Sequence, residues 1–147
     1  ELYSRSLKTV NSISKHVITM YRDSSYFLTY LLQDPVTGNI YVTFNHGVGF
    51  YDYQGNTFSI ITGSRLNGFM VGEFSQLRFR HPRGLLAFLS HDTFLVADTP
   101  NRRLRVLDRT TNTSSSICSG ESGHSDGGAS ACQLTWPRSL LKVTNTV

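Results

Sequence analysis

The sequence predicts an all-β chain built from repeated units, each a sheet of four antiparallel strands. One phrase occurs twice: the Pro-Arg-Gly-Leu-Leu that begins at Pro82 returns as Pro-Arg-Ser-Leu-Leu at Pro137, an offset of 137 − 82 = 55 residues. Between and before these copies, short apolar runs recur in the same order, separated by Gly, Asn, Asp and Pro, which favour turns. Four strands in a repeat of this length are typical of one blade of a β-propeller.

The repeat divides the chain into four parts. Residues 1–25 are expected to hold the end of a preceding blade or a lead-in strand, and 26–81 a first blade. Residues 82–136 form a second blade and 137–147 the first strand of a further one. Strands are expected at 26–32, 40–44, 48–53 and 57–62, and again at 84–89, 93–97, 103–107 and 114–118. The Gly-containing stretch 63–76 reads as a long loop between blades, with Phe69, Met70, Val71 and Phe74 tucked over the junction.

A resemblance to a known family rests on residues 94–105, which read FLVADTPNRRLR. This run resembles the core signature of NHL repeats, and the Gly-rich stretch 122–128 with Leu134 and Pro137 resembles the following loop and repeat start. The match is strong over 82–142 and weak over 31–82, where Phe44 stands in the place of Asp98. NHL propellers close with about six blades, so the resemblance implies a partial propeller and a chain that is a piece of a longer protein.

Within this signature, Asp98 and Asn101 are expected to bond backbone groups of their own turn, a structural role. Alternation along the strand at 103–107 places Arg103 and Arg105 on one face, with Leu104 and Val106 directed inwards to the core. The arginines then read as a solvated strand face. They also make a candidate binding surface, which comprises Arg78, Arg80, Arg83, Arg102, Arg103 and Arg105.

Composition and charge restrict the class of protein. The chain of 147 residues is 39% hydrophobic and 16% charged, which suits a folded domain. It contains no run of 18 apolar residues, the length that a membrane-spanning helix needs. The net charge of +4 permits nucleic-acid binding without demanding it. Binding of RNA by the basic face of a propeller is therefore an alternative function.

The two cysteines, Cys118 and Cys132, lie at the feet of one Gly-rich loop, so a disulfide that closes it is plausible. The alternative is two free thiols in a cytosolic protein. Asn112 begins an Asn-Thr-Ser sequon on a predicted hairpin turn, a suitable place for a glycan. Together these features favour an extracellular or lumenal protein of the secretory pathway.

The sequence contains no signature of catalysis. The five histidines do not cluster, no zinc-binding pair accompanies the cysteines, and no GxSxG or HExxH motif occurs. Because some NHL-related propellers host metal-dependent amidating-lyase chemistry, a fragment of such an enzyme is a second alternative. The prediction is a non-catalytic interaction module without catalytic residues, metal or cofactor. Its expected partners are another protein, the remaining blades of the same propeller, or further copies of the chain, three of which would supply six blades.

Overall fold

A computed structural model describes residues 6–10, 17–22, 26–34, 37–90 and 92–142. Its strands are β1 (Ser6–Val10), β2 (Val17–Arg22), β3 (Leu28–Gln33), β4 (Ile40–Phe44), β5 (Gly47–Asp52), β6 (Thr57–Gly63), β7 (Gly72–Glu73), β8 (Leu85–Ser90), β9 (Thr93–Asp98), β10 (Arg103–Asp108) and β11 (Thr113–Ile117). Two single 3-10 turns, Phe74–Gln76 and Thr99–Asn101, interrupt the strands.

The strands form two antiparallel meanders that follow one another along the chain. The first sheet has the order β3-β4-β5-β6, and the second has the order β7-β11-β10-β9-β8. Strands β1 and β2 pair as a separate two-stranded ribbon. The predicted fold class is confirmed: the chain is nearly all β, with antiparallel four-stranded sheets like the blades of a propeller. The short β7, which pairs with β11 at the edge of the second sheet, was not predicted, because two residues carry no periodic signal.

Tight turns set the register of each meander. Asn56 and Asn112 stand in the corresponding β5–β6 and β10–β11 turns with φ of 52° and 54°, a left-handed conformation that Asn adopts more readily than most residues. Asp52 and Asp108 accept backbone N–H bonds inside these same turns, from Gln54 and Thr110. The two sheets therefore share the same arrangement of Asp and Asn in this turn as well as the same order of strands.

The main hydrophobic core lies between the two sheets. Tyr41 and Val48 contribute from the first sheet, and the Tyr41 ring lies 4.5 Å from that of Phe94 in the second. Three side chains of the segment between the sheets complete this core: Phe74, Leu77 and Phe79. Burying each of them contributes roughly 1.5–3 kcal/mol, so the connecting segment is part of the core. A second cluster on the opposite face of the first sheet contains Leu28, Val42, Phe44 and Tyr51.

The orientation of β10 is the reverse of the predicted one. Arg105 is 0% exposed and Leu107 is 1% exposed, whereas Leu104 and Val106 are only partly buried. The alternation itself was correct, but the face that packs against the first sheet carries Arg105 and Leu107. A charged residue can occupy this face because Asp98 on the neighbouring strand β9 is buried beside it.

Side chains of the first sheet hold the segment that leads into β8 in place. Thr43 donates to the carbonyl of Arg83 at 2.8 Å and Thr29 to that of Pro82 at 2.7 Å. In the 3-10 turn after β9, Thr99 donates to the carbonyl of Pro137 at 2.6 Å. Residues 137–142 form no strand and 143–147 lie outside the described residues, so a further strand in 137–147 stays a prediction. The assignment of residues 1–25 to a preceding blade is likewise a prediction.

Candidate binding surface between the sheets

The segment between β6 and β8 folds back on itself before it enters the second sheet. The N–H of Gly68 donates to the carbonyl of Phe79 at 3.1 Å, and Met70 and Arg78 form an antiparallel bridge. The inner side of this ribbon supplies Phe74, Leu77 and Phe79 to the core. Phe69, Met70 and Val71 were expected to tuck over the junction with Phe74, but they are 43%, 39% and 43% exposed, since the core beneath them is already filled.

Asp98 and Arg105 form a buried ion pair beneath this ribbon. Both side chains are 0% exposed, and Arg105 Nη1 lies 3.0 Å from Asp98 Oδ2. The amide of Asn101 donates to the same oxygen at 2.9 Å, and the backbone N–H of Arg80 donates to Oδ1 at 2.9 Å. Three parts of the chain therefore supply donors to one carboxylate.

Arg105 and Asn101 fasten the ribbon to the second sheet. Arg105 donates to the carbonyls of Arg78, at 3.1 Å, and Met70, and Asn101 donates to that of Gly68 at 2.7 Å. Asp98 and Asn101 bond each other across their own turn, but the backbone groups that they bond belong to Arg80 and Gly68 of the ribbon and not to that turn. The side chains at 98, 101 and 105 act together as a clamp, here called the Asp98 clamp.

Burial works against the ionisation of both members of the pair. It raises the pKa of Asp98, while the bonds from Asn101 and Arg80 and the charge of Arg105 act in the opposite direction. It also lowers the pKa of the Arg105 guanidinium, which Asp98 counteracts. Arg105 Nε is buried without a hydrogen-bond partner among the described residues. The pair thus depends on its complete set of partners. Removal of one charge leaves the other buried without a counter-charge, which destabilises the folded chain.

Arg103 links the ribbon to the loop that follows β11. Its guanidinium lies 4.5 Å from the ring centroid of Phe69, with Arg105 on the same ring at 5.1 Å. Arg103 Nη1 donates to the carbonyl of Cys118 at 2.7 Å and Nη2 donates to that of Ser119. Phe69 is therefore an exposed aromatic ring held in position by two arginines.

The outer side of the ribbon forms a surface that is both basic and apolar. Leu66, in the bend after β6, is 62% exposed, and the hydroxyl of Ser64 accepts from the Leu66 N–H at 3.1 Å and donates to its carbonyl at 2.9 Å. In the part of the chain that the structure describes, none of the arginine side chains on this surface forms an ion pair with a carboxylate. We call this the 65–80 surface; it comprises Arg65, Leu66, Phe69, Met70, Arg78 and Arg80, all exposed.

The structure divides the six arginines of the predicted binding surface. Arg78 and Arg80 are exposed on the 65–80 surface, and Arg102 is half-buried beside it in the turn after β9. Arg103 is occupied by two backbone carbonyls, and Arg105 is fully buried, so the placement of Arg105 on a surface is wrong. Arg83 contributes backbone bonds to Ala97 and Thr43 at the junction. Leu66 and Phe69 were not predicted here, because exposed apolar residues in a loop have no periodic signature.

The Cys118–Cys132 disulfide is present and closes the Gly-rich loop. Backbone bonds accompany it: the N–H of Ser119 donates to the carbonyl of Cys132 at 2.8 Å, and that of Cys132 donates to Gly128 at 3.1 Å. At the opposite end of β11, Asn112 is exposed in the β10–β11 turn. Its glycosylation stays a prediction.

Two histidines meet where the first sheet contacts the segment that leads into β8. The rings of His46, in the β4–β5 turn, and His81 have centroids 4.6 Å apart in an edge-to-face arrangement. The N–H of His81 donates to the carbonyl of Asn45 at 3.0 Å. Burial and the neighbouring His81 lower the pKa of His46. His81, Phe27, Thr29 and Asn45 line an adjoining cleft of about 240 Å³.

Acid should weaken this junction. Because the pKa of His46 in the folded chain is below its ordinary 6.5, the unfolded chain binds more protons. The contribution of His46 to stability is therefore present above about pH 6.5 and is lost as pH falls through the folded pKa.

The variant His81→Asn tests this prediction. It removes the neighbouring imidazole, the second cause of the lowered pKa of His46, and keeps a residue suited to the φ of 44° at position 81. In urea unfolding between pH about 7.5 and about 5, this variant should lose less stability on acidification than the parent. His124→Asn, at an exposed site, should match the parent, and an equal loss in all three proteins would contradict the prediction.

Among the described residues, no three of His, Cys, Asp and Glu are grouped so that they could hold a metal ion. No helix in the described part of the chain has the length and apolar character needed to cross a membrane.

These features define a β-propeller-like chain, and solved structures with the same fold support this class. An auxiliary nutrient binding protein from Bacteroides thetaiotaomicron matches with a TM-score of 0.76 and 17% identity over 93% of this chain and 37% of its own. A protein of unknown function from the same organism matches with a TM-score of 0.76 and 17% identity over 92% of this chain and 36% of its own. An auxiliary nutrient binding protein from Bacteroides ovatus matches with a TM-score of 0.72 and 15% identity over 92% and 37%.

At these identities the likeness shows the fold alone. The chain spans a little over a third of the length of these structures. No protein-family model matches the chain, and no curated protein matches it.

Proposed function

We propose that this chain is a segment of a larger NHL-type β-propeller that acts in the secretory pathway or outside the cell as a non-catalytic protein-interaction module. The observation that carries the proposal is the 65–80 surface. It exposes an aromatic ring, aliphatic side chains and arginines on a ribbon clamped to two packed sheets. Aromatic residues and arginines are enriched at protein interfaces, and a rigid scaffold that presents binding loops is a common use of such folds.

The NHL assignment is supported by the way in which the signature residues cooperate. Asp98, Asn101 and Arg105 are spaced as in the resemblance, and all three serve one clamp on the segment between the sheets. A repeat whose signature fastens each blade to the preceding connection gives a physical reason for that spacing. Phe44 occupies the corresponding place in the first sheet and packs in a hydrophobic cluster instead.

Further blades are supported at the junction after the second sheet. Thr99 donates to the carbonyl of Pro137, and the carbonyl of Pro82, the corresponding residue one repeat earlier, accepts from Thr29. A Cβ built on Gly84 would lie 2.9 Å from the carbonyl oxygen of Arg138, so residues 138–139 pass directly over Gly84. The start of a third blade thus docks on the second much as the second docks on the first. Additional blades of the same polypeptide, or further copies of this chain, would continue the ring.

The location is supported by the disulfide and by the position of the sequon. Disulfides persist mainly in oxidising compartments, and Cys118–Cys132 is formed here. Asn112 is exposed at the tip of a hairpin turn, where an oligosaccharide could be carried without disturbing either sheet. The structural neighbours that are named nutrient binding proteins support a binding role only in general terms.

One experiment tests location and binding together. The chain, produced through the secretory pathway of cultured cells, should have both cysteines protected from alkylation until reduction and should carry a glycan that Asn112→Gln removes. Asn67→Gln, an exposed asparagine outside any sequon, should leave the mass of the glycan unchanged. On an array of secreted and cell-surface ectodomains, the protein should bind few members, saturably and without loss in EDTA. Freely alkylated thiols in protein from its native source, together with no saturable binding, would contradict the proposal.

A further inference from the structure

We infer that the 65–80 surface recognises an acidic segment of a partner protein that carries an apolar side chain. This inference deepens the proposed function and rests on it. It is carried by three features of the described residues: an unbalanced positive charge, a preorganised aromatic ring, and a position that further blades would leave open.

The charge of the surface is unbalanced. Residues 64–81 contain Arg65, Arg78 and Arg80 but a single carboxylate, Glu73, which lies in β7 beside the β10–β11 turn. The adjoining turn 99–102 adds Arg102 and no acid. Asp98, which lies beneath, is fully buried and committed to Arg105. A partner that places carboxylates over this surface would meet exposed guanidinium groups that no described carboxylate neutralises.

The apolar part of the surface is already organised for contact. Phe69 is 43% exposed, yet two guanidinium groups hold its ring from below. The backbone of Leu66 is held by the Ser64 hydroxyl, which accepts from its N–H and donates to its carbonyl, and the ordered side chain of this surface is that of Phe69. Side chains that are ordered before binding lose little conformational entropy when a partner covers them. The surface therefore suits an apolar anchor flanked by acidic residues.

Further blades would not cover this surface. The ribbon bridges two sheets that already pack against each other through Tyr41 and Phe94. In a propeller each sheet packs face to face on its two neighbours. Additional blades would thus pack on the face of the first sheet that carries Val42 and on the face of the second that carries Leu104, and the 65–80 surface would remain open.

The test uses the full chain and a displayed library of random peptides. Selected peptides should be enriched in Asp and Glu next to Leu, Phe or Trp. For one synthetic selected peptide, Arg78→Glu/Arg80→Glu should raise Kd at least about tenfold, and Phe69→Ala should raise it by about the same factor. Arg65→Glu/Leu66→Ser, at two exposed positions in the bend after β6, changes a second pair of surface residues and leaves the core intact. Lys142→Glu and Ile60→Ala, an exposed cation and an exposed aliphatic residue outside the surface, should change Kd by less than about twofold.

The outcomes separate the inference from the proposed function. Selected peptides without acidic residues, or an unchanged Kd in all three surface variants, would overturn the inference even if the chain still bound an ectodomain elsewhere. Stronger binding to phosphatidylserine vesicles or to single-stranded RNA than to any peptide, lost in the same variants, would assign the surface to another class of partner and also overturn it. Binding to no peptide and no ectodomain would remove the proposed function itself.

Discussion

Replacement of Arg105 by Met should lower the free energy of unfolding by about 3–5 kcal/mol, the cost expected when one member of a buried ion pair is removed. The substitution leaves the carboxylate of Asp98, which is 0% exposed, without its charged partner. It also removes the donors to the carbonyls of Arg78 and Met70 that hold the ribbon. Arg78→Met, which alters an exposed side chain of the same ribbon, should stay within about 0.5 kcal/mol of the parent.

The pH dependence of this loss identifies its cause. Burial already raises the pKa of Asp98, and without Arg105 nothing of opposite charge counteracts it. In Arg105→Met the folded chain should therefore bind a proton at Asp98 more strongly than the unfolded chain does. The loss in free energy of unfolding should therefore be smaller near about pH 4.5 and should grow as the pH rises to about 7.

A double variant provides the control. Asp98→Asn/Arg105→Met places a neutral amide in the site, so the additional loss between pH about 4.5 and about 7 should disappear. Urea unfolding at both pH values measures all three proteins. If Arg105→Met lost the same stability at each pH, the loss would come from packing and hydrogen bonds alone, and the ion pair would have no separate role. That result would also remove the physical reason proposed for the spacing of Asp98, Asn101 and Arg105.

Local patterns in the sequence were sufficient to predict much of the fold. The repeated phrase at Pro82 and Pro137 and the Asn residues of the hairpin turns are short-range signals, and the two meanders formed where these signals place them. The disulfide was predictable because Cys118 and Cys132 flank one loop. Each of these inferences rests on short motifs and their spacing along the chain, without any contact between distant residues.

The candidate site depends on contacts that local patterns do not contain. Arg103 and Arg105 share a face of β10, yet one reaches the carbonyls of Cys118 and Ser119 while the other is buried beneath the ribbon. The sequence distance between Arg105 and its acceptor at Met70 is 105 − 70 = 35 residues. Arginines that alternate along a strand therefore predict a solvated face. The carboxylate of Asp98 on the adjoining strand was the signal that one of them could be buried. The exposure of Phe69 had no such signal.

Removal of the disulfide by Cys118→Ala/Cys132→Ala should destabilise the chain by about 3 kcal/mol, because the cross-link restricts the unfolded chain over 132 − 118 = 14 residues. The folded loop should persist, since backbone bonds and the two donors of Arg103 hold its feet independently of the sulfur atoms. Denaturant unfolding should give the same midpoint for this variant and for the reduced parent. Ser130→Ala, at an exposed position of the same loop, should match the oxidised parent.

The contribution of Arg103 to this loop can be separated from that of the disulfide. In the cysteine-free background Arg103→Met should cost more than in the oxidised parent, because the loop then depends on the bonds to the carbonyls of Cys118 and Ser119. Contacts that share one structural element couple by about 0.5–3 kcal/mol in such double-mutant cycles. Additive losses would contradict this coupling. They would mean that Arg103 stabilises mainly through the Phe69 ring, 4.5 Å away, and its removal should then weaken the 65–80 surface without affecting the disulfide loop.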